Sequence, residues 1–229
     1  MQPGEQRRVL STHASRRAET IRRDGVRLAA LLLTPPGRGP FPCVVFVHGL
    51  GSSKESPRNT VIAERLLDAG LGVVLFDLSG HGESSQDPRD GDDAYVDDLV
   101  AAFRWAREQQ EVDPARLGVA GSSLGGTIAA RAVSRGLVGP AAMVLRAPPV
   151  GLRDLESLPV PTLVLVGSAD PLLLSGQAAA EHSRLAQLSV VPGAGHLFEE
   201  PGALEEAVQR TVAWFVSRLT APTEHKVRR

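Results

Sequence analysis

The chain has 229 residues, 42% of them hydrophobic and 22% charged, with a formal net charge of −1. That length suits one α/β domain with a substantial core and is too short for a second large one. The near-neutral balance points to neither a nucleic-acid nor a membrane-surface partner. Cys43 is the lone cysteine, which rules out an intrachain disulfide.

Residues 1–17 are polar and are expected to form a flexible arm. The arginine pairs Arg7-Arg8, Arg16-Arg17 and Arg22-Arg23 surround no apolar core of the signal-peptide kind. No stretch reaches the ~18 uninterrupted apolar residues of a membrane span, so the expected location is the cytoplasm. Asp24-Gly25 between residues 19–23 and 26–34 is a hairpin signal. Residues 43–47 read as a buried strand, 57–69 as an amphipathic helix and 72–77 as the next strand. A loop over 78–93 precedes a helix over 95–109. A strand at 116–120 is followed by a helix rich in small residues at 125–134. Strands at 142–147 and 162–166, a helix at 176–185, a strand at 188–191 and a helix at 203–219 complete the series. Short apolar runs alternating with helices predict a parallel sheet covered on both faces. One domain is expected over residues 18–220, with a tail at 221–229.

Gly121-Ser122-Ser123-Leu124-Gly125 stands between an expected strand and an expected helix, the setting of a G-x-S-x-G nucleophile elbow. Such a turn lifts the Ser123 hydroxyl above the sheet, at the positive end of the following helix. A serine hydroxyl is a weak nucleophile without a base. His196, in Gly193-Ala194-Gly195-His196 after the last predicted strand, is the candidate base. The base needs an acid to fix its tautomer. Asp170, in Gly167-Ser168-Ala169-Asp170-Pro171, is the first choice; Asp154 is the reserve, and Glu199 and Glu200 are less well placed. Each residue also has a plainer reading: a capping serine, a turn-initiating aspartate before Pro171 and a surface turn histidine.

A tetrahedral intermediate requires donors for its oxyanion. His48-Gly49-Leu50-Gly51 follows the strand at 43–47, so the Leu50 and Leu124 backbone N–H groups are the expected pair. The Leu50 and Leu124 side chains would then line the substrate pocket, and His48 would buttress the loop. The remaining histidines (His13, His81, His182 and His225) have no ligand spacing, and neither a metal nor an organic cofactor is expected.

These segments, together with Phe76-Asp77-Leu78-Ser79-Gly80-His81-Gly82-Glu83-Ser84, resemble in content and order the α/β-hydrolase-fold serine esterases, from about residue 26 to 219. The order Ser123, Asp170, His196 is the family's. The resemblance implies a mostly parallel eight-stranded sheet with helices on both faces and an N-terminal antiparallel hairpin. It also implies a scaffold role for His81 in a loop similar to the family's G-x-G-x-S segment. Many relatives carry a cap between the sixth and seventh strands; here only residues 148–160 lie there, so no cap domain is expected. An open site suits small or short-acyl esters. Residues 51–59 also resemble dienelactone-hydrolase-like proteins. Those typically use a cysteine nucleophile, and Ser123 in its place implies ordinary ester hydrolysis.

The expected activity is therefore that of a serine carboxylesterase on a small-molecule ester, acting as monomer or homodimer. A thioesterase, amidase or lactone hydrolase would use the same triad. Dehalogenase and epoxide hydrolase readings are weaker, because those relatives place aspartate where Ser123 stands. A noncatalytic small-molecule receptor on the same fold is the alternative from another class.

Overall fold

The computed structural model describes residues 14–89, 91–149, 158–181 and 183–220. Residues 1–13, the tail at 221–229, Asp154, His182 and most of the 148–160 connection lie outside the described residues. The chain opens on the hairpin of β1 (Ser15–Arg23) and β2 (Val26–Thr34). Asp24 and Gly25 turn it with φ of 44° and 84°, the paired left-handed conformation of a type I′ turn. β1 starts at Ser15, inside the segment expected to be an arm. Its residues are mostly exposed and five of the nine are arginine or glutamate. It therefore lacks the apolar alternation that marks a strand, yet it pairs with β2 along its whole length. Charges of this kind blunt the open edge of a sheet.

β3 (Phe41–Val47), α1 (Pro57–Asp68), β4 (Gly72–Phe76), α2 (Asp92–Arg107) and β5 (Val112–Ser122) follow. Then come α3 (Leu124–Ser134), β6 (Ala142–Arg146), β7 (Thr162–Gly167), α4 (Leu173–Glu181), β8 (Ala186–Val191) and α5 (Ala203–Leu219). The strands form one eight-stranded sheet in the order β1-β2-β4-β3-β5-β6-β7-β8. β2 is antiparallel to both neighbours, and every pairing from β4 to β8 is parallel. Among the described residues, neither helix nor strand stands between β6 and β7.

Burial on both faces explains the continuous apolar runs of β3, β4 and β7. One face packs Val96, Leu99 and Phe103 of α2, and Ile128 and Val133 of α3, against Val45, Val119 and Leu145. The other packs Ile62 and Leu66 of α1, and Trp214 and Phe215 of α5, against Phe46, Leu75 and Val144. Cys43 belongs to the first core, and burial pushes its thiol up to about 12, leaving it an apolar filler.

Because β3 lies between β4 and β5, the strand order reverses there, and α1 and α3 leave on opposite faces. The region beyond the carboxyl ends of β3 and β5 at such a switch point is where open α/β sheets bind ligands.

Candidate active site

Ser123 is the one residue between β5 and α3, with φ 51° and ψ −121°. A non-glycine residue there carries about 1–3 kcal/mol of strain and persists only where its surroundings enforce it. Here the Ser123 N–H donates to Arg146 O at 2.8 Å, and the Ser123 carbonyl accepts the Gly126 N–H at 2.8 Å as α3 begins. The turn also needs close packing. A Cβ at Gly125 would strike the backbone oxygens of Val47 and His48, so only glycine lets α3 start against β3.

His196 Nε2 lies 3.1 Å from Ser123 Oγ, and His196 Nδ1 lies 3.1 and 3.2 Å from the two carboxylate oxygens of Asp170. Asp170 is buried while the imidazole is about one-third exposed. A carboxylate at Nδ1 keeps the proton there, leaving the Nε2 lone pair for the serine hydroxyl. Asp170 Oδ1 also accepts the Leu172 N–H at 2.8 Å, so it initiates a turn as well as facing the histidine. That turn starts α4 at Leu173, three residues before the expected start.

The Asp170 and His196 loops are stitched to each other. Ala169 N–H donates to Ala194 O at 2.9 Å, and Gly193 N–H donates to Ser168 Oγ at 2.7 Å. Glu200 accepts the Gly195 N–H and its own, which hold its carboxyl below the usual range. Glu199 pairs with Arg58 at 3.8 Å. The sequence held no signal for either partnership.

His48 is buried between the two loops beyond β3 and β4. Its Nε2 accepts the Leu78 N–H at 3.0 Å, so its proton sits on Nδ1, which donates to Gly49 O at 2.8 Å. Ser52 N–H donates to the same oxygen at 3.2 Å. The trans peptide is planar, so pinning Gly49 O fixes the opposite direction for Leu50 N–H. Gly49 also lies against the elbow: a Cβ there would stand 3.4 Å from Ser123 Cβ. Burial lowers the His48 pKa and keeps the ring neutral, preserving this tautomer. The Leu50 side chain is 73% exposed, whereas Leu124 is half-buried against the core.

The far end of the loop is held by Lys54. Its backbone N–H donates to Asp77 Oδ1 at 2.6 Å, and its Nζ donates to Asp77 Oδ2 at 3.0 Å and to Glu83. Glu83 N–H closes the ring onto Asp77 Oδ2 at 2.9 Å. His81 Nδ1 donates to Ser79 O at 3.0 Å, and its ring lies between those of His48 and Tyr95 in tilted and edge-on contacts, with centroids at 5.2 and 5.6 Å. Among the described residues, no group of three or more His, Cys, Asp or Glu side chains is arranged to hold a metal ion. No described helix is long and apolar enough to cross a membrane.

Residues 42–150 match the alpha/beta hydrolase fold family. The crystal structure of dienelactone hydrolase from Anabaena variabilis is 31% identical and superposes with a TM-score of 0.81, over 90% of this chain and 99% of that one. The chain belongs to the α/β-hydrolase family. Est1E of Butyrivibrio proteoclasticus, solved with ferulic acid, is 17% identical with a TM-score of 0.79, over 89% of this chain and 100% of that one, and shares the fold. Among curated relatives, a Mycobacterium tuberculosis protein provisionally named a phosphoribosyl transferase is 36% identical over 195 residues. Those residues are 83% of this chain and 44% of the relative, so the chain spans less than half of that relative's length.

Proposed function

We propose that this α/β-hydrolase is a serine carboxylesterase acting on small or short-acyl esters, with Ser123, His196 and Asp170 as its triad. The observation that carries the reading is the unbroken line from Ser123 Oγ through both imidazole nitrogens to the buried Asp170 carboxylate. Ser123 Oγ attacks the ester carbonyl carbon as His196 Nε2 takes its proton, and Asp170 stabilises the imidazolium. The Leu50 and Leu124 N–H groups hold the oxyanion. His196 returns the proton to the leaving alcohol, and water then repeats the sequence on the acyl-enzyme to release the acid and restore Ser123.

The short sequence between β6 and β7 and the exposed Leu50 favour compact substrates at an open mouth. The likeness to a dienelactone hydrolase favours a lactone, itself an ester, as the second reading. A fluorophosphonate probe should add to Ser123 in the folded protein, and Ser123→Ala should abolish both labelling and turnover. Turnover surviving that change, or labelling elsewhere, would overturn the assignment. Across p-nitrophenyl esters, kcat/KM should peak at short chains; a maximum at long chains would contradict the open site.

A further inference from the structure

A small cavity of about 10 Å³ lies behind the elbow, between the sheet and helices α1 and α5. Its polar wall is Arg146, Asn59, Ser122 and Thr211, and Phe46, Ile62 and Val144 supply much of the rest. Arg146 is only 5% exposed and Asn59 only 2%. Arg146 Nη2 donates to Asn59 Oδ1 at 2.6 Å, the guanidinium's one hydrogen bond among the described residues. Thr211 Oγ is already committed, donating to Ala207 O at 2.7 Å. With its Oδ1 occupied by the guanidinium, Asn59 has only NH₂ donors left. The uncommitted groups of Arg146 and Asn59 are thus all donors, beside a cation with no carboxylate in ion-pair reach among the described residues.

A buried charge without a counter-charge costs several kcal/mol. Burial, and then repulsion from Arg58, push the Arg146 pKa down to about 10. Arg58, which repels Arg146, has its own partner in Glu199, a carboxylate that stands in solvent. Such a volume holds about one water-sized group, too little for a carboxylate or sulfate. A water would satisfy a donor and leave the charge unbalanced; a monatomic anion does both.

We propose that this cavity is a binding site for a single halide ion, chloride in ordinary buffers, held by the Arg146 guanidinium and the Asn59 amide. The ion completes the support of the strand end whose carbonyl pins Ser123 N–H. The site stands independently of the esterase reading.

Thermal melts of the whole chain in sodium chloride and in sodium gluconate at matched ionic strength test it. Once chloride exceeds its dissociation constant, the melting temperature should rise by roughly 3–5 °C per tenfold increase in chloride beyond the gluconate control. Arg146→Met should remove that difference. Asn59→Asp supplies the missing negative charge in place, so it should lose the chloride response and melt at or above the wild type in gluconate. If Arg146→Met fails to fold, Asn59→Asp carries the test. Crystals grown in sodium bromide should show an anomalous peak within hydrogen-bond reach of the guanidinium. Equal melting in the two salts, a chloride response retained by Asn59→Asp, or water without anomalous signal would each overturn the site.

Discussion

Lys54 is one of two lysines in a chain whose other cationic side chains are arginine, and it is buried on Asp77 rather than in solvent. The hydrogen bonds to Asp77 and Glu83 outweigh burial and raise its pKa, so the ammonium stays charged. With His48 at one end and Lys54 at the other, the segment carrying Leu50 N–H is tied to the β4 loop twice. Under the esterase reading, Lys54→Met should lower kcat by up to about 100-fold, the scale of misaiming one positioned group by an ångström. KM should change little, and Lys54→Arg should recover part of the loss. Steady-state kinetics well below each variant's melting temperature check this; unchanged kcat with only lower stability would reduce Lys54 to a structural role. Asp170→Asn tests the other end of the proposed triad. An amide at that position favours the wrong imidazole tautomer, and kcat should fall by about 10⁴-fold with KM nearly kept.

At the scale of elements, the site depends on α3 starting hard against β3. Gly125→Ala places a methyl group on two backbone oxygens, which cannot rotate away as a side chain could. The variant should lose about 1–3 kcal/mol or more of stability and should label more slowly with a fluorophosphonate; denaturant melts and probe kinetics measure the two effects. The buried strands and long helices were legible because their periodicity is local, as in the apolar run of β3. The serine elbow, the Asp170 turn and the His196 loop were legible too, since each sits directly after a strand and chemistry restricts its residue type. β1 was legible only over its last five residues, because an edge strand built of arginine and glutamate is defined by its partner and not by its own pattern. Lys54, Glu200 and Arg146 were not legible as supports of the site. Their partners lie on other loops or strands, and a charged residue in a sequence does not reveal which carboxylate, amide or cavity it will meet.

Across the whole molecule, the hairpin edge is bound to the helix layer by a buried ionic network that sets the response to acid. Arg23, at the end of β1, donates to Asp87 Oδ2 at 2.7 Å and to Asp98 Oδ1 at 2.8 Å. Asp98 Oδ2 accepts both the N–H and the hydroxyl of Ser79, at 2.8 and 2.7 Å, reaching the loop beyond β4. Hydrogen bonds from Arg89, side chain and backbone, together with Arg23, hold the Asp87 carboxyl well below the usual carboxylate range. Asp113, beside Arg116, and Glu200, on the Gly195 amide, are also lowered. A carboxylate with a depressed folded pKa binds fewer protons folded than unfolded. Its stabilisation is complete above the unfolded value near 4 and is lost as pH falls toward the folded one. The melting temperature should therefore change little between pH 7 and 5 on account of these groups, then fall progressively below about pH 4. Asp87→Asn keeps the shape but removes the charge facing Arg23 and Arg89. It should lower the melting temperature at pH 7 by roughly 5 °C, and the gap to the wild type should narrow as pH falls from about 4 to 2. Circular-dichroism melts of the two proteins across pH 2–7 measure this directly; parallel curves, with a gap independent of pH, would mean that the charge of Asp87 contributes nothing to acid stability.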